Sequence, residues 1–256
     1  MNQSEVTCEI KETAAYITIH RPEVLNALSL KVAEEIADAV RQCDKREDVQ
    51  CIVISGEGEK AFAAGADIEE LKNKKSQEMM EPGGMQEIFT AIYQCRKPTI
   101  AKVKGYALGG GFELALACDI RIAAENAKFG FPELNLAILP GAGGTQRLTK
   151  VAGEGRALYL CLTGEIVNAQ TALEWGIVSE LHPLESIEDR VKKLTEKISS
   201  KGPLAAELTK LAVKQGEGAQ GLLIEKMAQA VLFETKDKQE GIEAFLEKRK
   251  AVFQGH

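Results

Sequence analysis

Two short segments of this chain combine glycines with a carboxylate in a way that could do chemistry. In Tyr106-Ala107-Leu108-Gly109-Gly110-Gly111-Phe112-Glu113, three consecutive glycines lead into an apolar stretch that runs to Cys118. Glycines at the start of an apolar helix leave backbone N–H groups bare where the helix dipole favours a developing negative charge. Glu113 is the only ionisable carboxylate or base between Lys104 and Asp119, which predicts burial, and a buried carboxyl has the raised pKa that suits acid–base work. An acid in a first helical turn also simply balances the dipole, so that structural reading stays open. The second segment is Ala63-Ala64-Gly65-Ala66-Asp67, where small residues again offer N–H groups near a helix start. Donors from two such loops converging on one oxygen make an oxyanion hole. A tight turn with Asp67 as cap is the alternative. Glu133, behind Pro132 and ahead of Pro140-Gly141-Ala142-Gly143-Gly144-Thr145, supplies a second carboxylate or an ordinary Pro-Glu helix start.

Other chemistries find little support. The only histidines are His20, His182 and His256, with no H-E-x-x-H and no G-x-S-x-G, so neither a zinc site nor a Ser-His-Asp triad is indicated. Gly216 to Gly221 matches G-x-G-x-x-G but follows a helical run instead of a strand, and it reads as a helix–helix loop. No phosphate loop of the form G-x-x-x-x-G-K-[ST] occurs.

These segments must be positioned by alternating strands and helices. Tyr16 to Ile19 alternates as a strand, and Ser29 caps an amphipathic helix with apolar positions Val32, Ala33, Ile36, Ala39 and Val40. Cys51 to Ile54 is a continuous apolar run of the kind buried on both faces, and Gly56 and Gly58 end it. Thr99 to Val103 and Ile120 to Ala123 are further strands, giving an α/β architecture. Lys72 to Gly84 reads as a mobile loop. After about residue 184 only helices are expected, over Ile187–Ser199, Leu204–Gln215, Gln220–Phe233 and Gln239–Val252. Their anchors Leu222, Leu223, Met227, Val231, Phe233 and Phe245 would complete the core or pack against another subunit.

The 256 residues, 45% hydrophobic and 27% charged, describe a globular chain, and no apolar run approaches the roughly 18 residues of a membrane span. A net charge of −6 gives no global attraction for nucleic acid or anionic lipid. The six cysteines, none in a C-x-x-C pair, read as buried thiols of a reducing compartment. The amino terminus resembles neither a secretory signal nor a transit peptide, so a cytoplasmic location is expected and the acceptor triplet Asn2-Gln3-Ser4 is read as chance.

Taken in order, Arg21-Pro22 with Asn26-Ala27-Leu28, AAGAD at 63 to 67, GYALGGGFE at 105 to 113, FGFPE at 129 to 133, PGAGGTQRL at 140 to 148, ALEWGIV at 172 to 178 and EGIEAFLEKRK at 240 to 250 resemble the crotonase (enoyl-CoA hydratase/isomerase) superfamily over nearly the whole chain. The resemblance implies a spiral of ββα units over residues 1–185 and a helical oligomerisation module over 186–256, assembling as a trimer or dimer of trimers. It implies acyl-CoA thioester substrates, with CoA entering as part of the substrate and no metal or redox cofactor. The oxyanion hole falls on the N–H groups of Ala66 and Gly110, and the catalytic pair on Glu113 and Glu133. Both glutamates, at the matching separation, imply hydration of trans-2-enoyl-CoA to 3-hydroxyacyl-CoA. A methylglutaconyl-type hydratase, an enoyl-CoA isomerase or an RNA-binding homologue are the alternatives, the last disfavoured by the acidic balance. CoA contacts are implied for Val24, Ala64, Ala66, Asp67, Ile68, Gly110 and Gly141, with Lys248 reaching a phosphate from a neighbouring subunit.

Against the family pattern, Glu23 stands where a base is common, and Ala137 replaces a frequent glycine. Phe112 replaces a smaller residue, and it or Ala137 would narrow the acyl pocket. Met79, Met80 and Met85 read either as an adaptable acyl wall or as loop anchors.

Overall fold

The computed structural model describes residues 4–216 and 218–256. Asn2 and Gln3 of the acceptor triplet and Glu217 of the G-x-G-x-x-G match lie outside them. β1 (Val6–Lys11) and β2 (Ala14–Ile19) form an antiparallel hairpin, and α1 (Leu30–Lys45) crosses over to β3 (Cys51–Gly56), which runs parallel to β2. The chain then repeats a pattern of two strands and helix. β3 and β4 (Ala61–Ala63) lead into α2 (Ile68–Asn73) and α3 (Met85–Gln94). β5 (Thr99–Val103) and β6 (Tyr106–Leu108) lead into α4 (Gly110–Ala117), and β7 (Ile120–Ala124) and β8 (Lys128–Gly130) lead, past a 3-10 turn over Pro132–Leu136, into α5 (Gly144–Ala152).

The first strand of each repeat joins one sheet and the second joins another. After α6 (Glu154–Thr163) come β9 (Ile166–Asn168), α7 (Ala169–Glu174) and β10 (Glu180–His182). The six-stranded sheet has the order β1-β2-β3-β5-β7-β10, and the four-stranded sheet the order β4-β6-β8-β9. This is the expected ββα spiral. β3 is buried along its whole length because its two faces serve different layers. Ile52 and Ile54 pack with Val32, Ile36 and Val40 of α1, while Cys51 and Val53 pack with Ile187 and Val191 of α8 (Ile187–Ser199). That double burial is the reason its sequence does not alternate.

Ser29 caps α1 as expected, its Oγ accepting from Val32 N at 3.1 Å, but Ala37 instead of Ala39 completes the buried face. α9 (Pro203–Lys214), α10 (Ala219–Phe233) and α11 (Lys236–Leu246) follow α8. The last helix starts and ends earlier than expected: the chain turns out of it through Lys248 at φ 56°, and residues 251–256 have no regular structure. The stretch from Lys72, expected as loop, is helical to Asn73 and then runs through turns to Gly84. The reading of all cysteines as buried fails for half-buried Cys161 and for Cys8, which is exposed on the edge strand β1 with its Sγ 3.5 Å from that of buried Cys43.

The loop leading into α1 is tied to the turn after β4. Leu28 N donates to Gly65 O at 2.9 Å and Asp67 N to Leu28 O at 3.0 Å. Asn26, only 1% exposed, organises that contact: its Oδ1 accepts from Arg21 N, and its Nδ2 donates to Glu57 O and Ala61 O at 3.0 and 2.8 Å. Its φ of 56° is one that asparagine tolerates better than most residues. Asn26→Ala leaves these backbone partners unpaired in the interior, and at about 1–3 kcal/mol for each buried group left unmade the loss is on the order of 3 kcal/mol. We expect a lower urea midpoint at an unchanged m-value; a loss below about 1 kcal/mol would mean that water replaces the amide.

Candidate active site

The amino end of α4 packs directly on the turn after β4. A Cβ on Gly111 would run into the Ala63 carbonyl, so only glycine allows this approach. Gly109, with φ 50° and ψ −127°, turns the chain from β6 into the helix, and a Cβ there would lie 2.7 Å from Glu133 Oε1. The Cβ position of Gly110 is 3.5 Å from Ala66 N, which places the two expected donors side by side. Ala66 bridges to Leu28 through its neighbours' groups, and Gly110 stands in the first helical turn. Among the described residues neither N–H has an acceptor. Two unused donors from separate loops therefore face one region.

Glu113 is 3% exposed, and its Oε1 accepts from Ala142 N at 2.7 Å and Gly144 N at 2.8 Å. Burial pushes its carboxyl above the usual range, while those two amides and the charge of Arg147 pull it back. Glu133, on the Pro132–Leu136 turn, has less help: its own backbone amide pulls the carboxyl down, but its Oε2 is buried without a partner. Burial pushes Glu133 up to about 7, and the charge of Glu113 adds to the rise. Two nearby carboxyls are thus both raised by burial but held in unlike surroundings, Glu113 on two backbone amides that offset part of the rise and Glu133 with one oxygen unpartnered.

Phe112 does not narrow an acyl pocket, contrary to expectation. Its ring is fully buried, 4.7 Å from the Phe131 centroid and 5.4 Å from that of Phe129, and Phe131 in turn leaves no space for a side chain on Gly144. The aromatic stack supports the loop that holds Glu113. Ala137 sits at φ 56°, which explains why glycine suits that position. Met79 and Met80 are exposed, whereas Met85 packs against the core at the start of α3.

The structure brings most of the other expected residues into one strip. Val24 lies exposed in a 3-10 turn over Pro22–Val24, and the next residue, Leu25, accepts at its carbonyl from Ala64 N at 3.0 Å. Ala64, Ala66 and Asp67 follow in the same loop, and exposed Ile68 opens α2. The Asp67 carboxylate caps that helix at Glu69 N and pairs with Arg21 at 3.3 Å, so its side chain is already engaged. Gly141 is exposed beside Ala142. Lys248, exposed after α11, is not placed with this group in the single chain. Sequence reasoning missed Arg147 and the Ala142 and Gly144 amides; the glycine pair at 143 and 144 was their available signal. A cavity of about 1280 Å³ between α9 and α10 is lined by residues such as Leu208, Ala212, Leu222 and Phe233, and neither glutamate nor donor amide borders it.

Residues 9–256 match the family described as enoyl-CoA hydratase/isomerase. The chain is 43% identical over 257 residues to a crotonyl-CoA hydratase of Syntrophomonas wolfei, covering 99% of each protein. It is 38% identical to a short-chain-enoyl-CoA hydratase of Clostridium acetobutylicum, covering 98% of this chain and 97% of that one. Its fold matches the crystal structure of an enoyl-CoA hydratase from Bacillus anthracis with a TM-score of 0.94 at 38% identity, covering 99% of this chain and all of the other. The chain belongs to the enoyl-CoA hydratase/isomerase family. No helix among the described residues is long and apolar enough to cross a membrane.

The raised Glu133 carboxyl sets a pH dependence of stability. Its folded pKa of about 7 lies above the ordinary 4.5, so the folded state binds the extra proton between these values. The stability this contributes is complete below pH 4.5 and is lost as the pH rises through about 7. Glu133→Gln cannot ionise, so its stability relative to wild type should grow across that window and level off above it. Thermal melts of both proteins from pH 4.5 to 8 check this; a constant difference would show that Glu133 titrates alike in both states.

Proposed function

We propose that Glu113 and Glu133 are the acid–base pair, and the Ala66 and Gly110 amides the oxyanion hole, of this enoyl-CoA hydratase. The observation that carries the reading is the meeting, at one helix amino end, of two acceptor-free amides with two carboxyls, one held by two backbone donors and the other with an unpartnered oxygen. A trans-2-enoyl thioester placed with its carbonyl oxygen on the two amides has its 2,3 double bond near both carboxyls. Glu113, whose carboxylate form its own pair of amides stabilises, takes a proton from a water as the water oxygen attacks C3. The electrons of the double bond move onto the thioester oxygen, where each N–H donor is worth typically about 100 to 1000-fold in rate. Glu133, protonated near neutral pH, supplies the proton to C2 and the enolate collapses to the 3-hydroxyacyl thioester. Glu113 then returns its proton to Glu133 through solvent or the next water.

All electron movement is accounted for by the substrate, the water and these four groups, so the proposed reaction needs no metal or redox cofactor. CoA contacts are assigned to the strip from Val24 and Ala64 to Ile68 and to Gly141. A cytoplasmic location and no nucleic-acid partner complete the reading. Leu222, Leu223, Met227, Val231, Phe233 and Phe245 remain exposed in the single chain, Phe245 at 83%, instead of completing its core. Exposed apolar side chains in that number favour burial against another subunit, and we assign these helices to a trimer or dimer of trimers, with Lys248 reaching across.

Glu113→Gln and Glu133→Gln should each lower kcat for crotonyl-CoA hydration by about 100-fold or more, the range for a positioned acid or base, with KM changed far less. Retention of more than a tenth of the rate overturns the role of that residue. Product analysis decides the reaction itself: a 3-hydroxyacyl-CoA is expected, and a 3-enoyl product would mark an isomerase. For assembly, light scattering should give a mass of three or six chains, and Phe245→Asp with Leu246→Asp should yield smaller, less active species; a fully active wild-type monomer contradicts the assignment.

A further inference from the structure

Arg147 is a charged group near the glutamates that the mechanism above leaves without a task. It lies in α5, and its guanidinium is turned back under the 142–144 loop: Nη1 donates to Ala142 O at 2.7 Å and Nη2 to Thr90 Oγ1 of α3 at 3.1 Å. The Tyr93 ring centroid is 5.3 Å from Cζ. Gly143, at φ 99°, has no space for a side chain because the guanidinium occupies it. Among the described residues no carboxylate stands within salt-bridge distance of this half-buried cation. The charged and titratable groups around Glu113 are Arg147 of α5, Glu133 of the 3-10 turn and Cys161 of α6, while Tyr93 of α3 and Cys118 of α4 face the guanidinium.

We propose that Arg147 is a positioning residue for hydration: by holding the Ala142 carbonyl it aims the Ala142 and Gly144 amides at one oxygen of Glu113 and sets an unpaired positive charge facing that carboxylate. The inference rests on Glu113 acting as the base. The held carbonyl belongs to the peptide plane between those that carry the Ala142 and Gly144 N–H groups, and fixing this central plane restrains the turn that presents both amides to the carboxylate. Its charge also favours the ionised form, and the buried location keeps that interaction from being screened by salt.

The test is the pH dependence of kcat/KM for crotonyl-CoA. Arg147→Met should move the acidic limb to higher pH and lower the neutral rate by about tenfold, with KM changed less than about twofold. Arg147→Lys, which keeps the charge but not the forked contact, should return the limb to within a few tenths of a unit of wild type while kcat stays reduced. On a Glu113→Gln background, where no carboxylate remains to be oriented, Arg147→Met should cost less than about twofold more. A uniform loss with an unmoved limb, or an equal loss on both backgrounds, overturns the proposal. If Arg147→Met does not fold, Arg147→Lys still decides: a limb displaced as far upward as loss of the charge would require contradicts it. Full activity of Glu113→Gln alone would instead refute the reading of the site and this inference with it, which separates the two failures.

Discussion

The site depends on how closely the amino end of α4 approaches the turn after β4. With the Gly111 Cα against the Ala63 carbonyl there is no side chain between the two loops, and the Ala66 amide nitrogen comes within 3.5 Å of the Gly110 Cβ position. Because Glu113 is one turn along the same helix, this approach also sets where the carboxylate sits relative to the donors. Any residue larger than glycine at 111 would lift the helix end and separate the amides. The proposed oxyanion donors and the proposed base therefore move together or not at all.

That arrangement works against stability. Half-buried Glu133 carries a buried oxygen with no partner, and buried Glu113 accepts from two backbone donors that offset its burial. A fold selected only for stability would replace both with apolar side chains. Burial raises both, but their surroundings differ: the amides and Arg147 offset part of the rise on Glu113, while the charge of Glu113 adds to the rise on Glu133. Two carboxyls of the same chemical type thereby acquire separate proton affinities without a third titrating group.

Much of this was legible before the structure, and the parts that were not have physical reasons. The strands Cys51–Gly56 and Thr99–Val103 announce themselves by continuous burial, and Ser29 marks its helix by its cap. The second sheet was invisible because β4, β6, β8 and β9 have three residues each, too few to show a period. Glu113 and Glu133 could be singled out as carboxylates in apolar or glycine-rich settings, but their different environments could not, since these come from amides at 142 and 144 and from Arg147, which approach only in three dimensions. Phe112 misled for the opposite reason: its size suggested the pocket, whereas its partners Phe129 and Phe131 lie beneath the site.

The far end of α4 explains how a helix of eight residues can hold its amino end so closely. Buried Arg121 donates from Nη1 to Cys118 O at 2.8 Å and from Nε to Ile177 O at 2.5 Å, placing a cation on the carboxyl end of the helix, where the dipole favours it. The next residue, Asp119, accepts from Thr99 N at 2.7 Å and pairs with Lys210 and Lys214 of α9 at 2.7 and 2.5 Å. Every residue from Gly111 to Ala117 is buried between these anchors. With its rear fixed to β5, to the chain before Val178 and to the carboxyl-terminal helices, α4 cannot slide along its axis without breaking buried charge-assisted contacts. The amide of Gly110 is thus positioned from both ends, and α9 takes part in the geometry of a site that it does not touch.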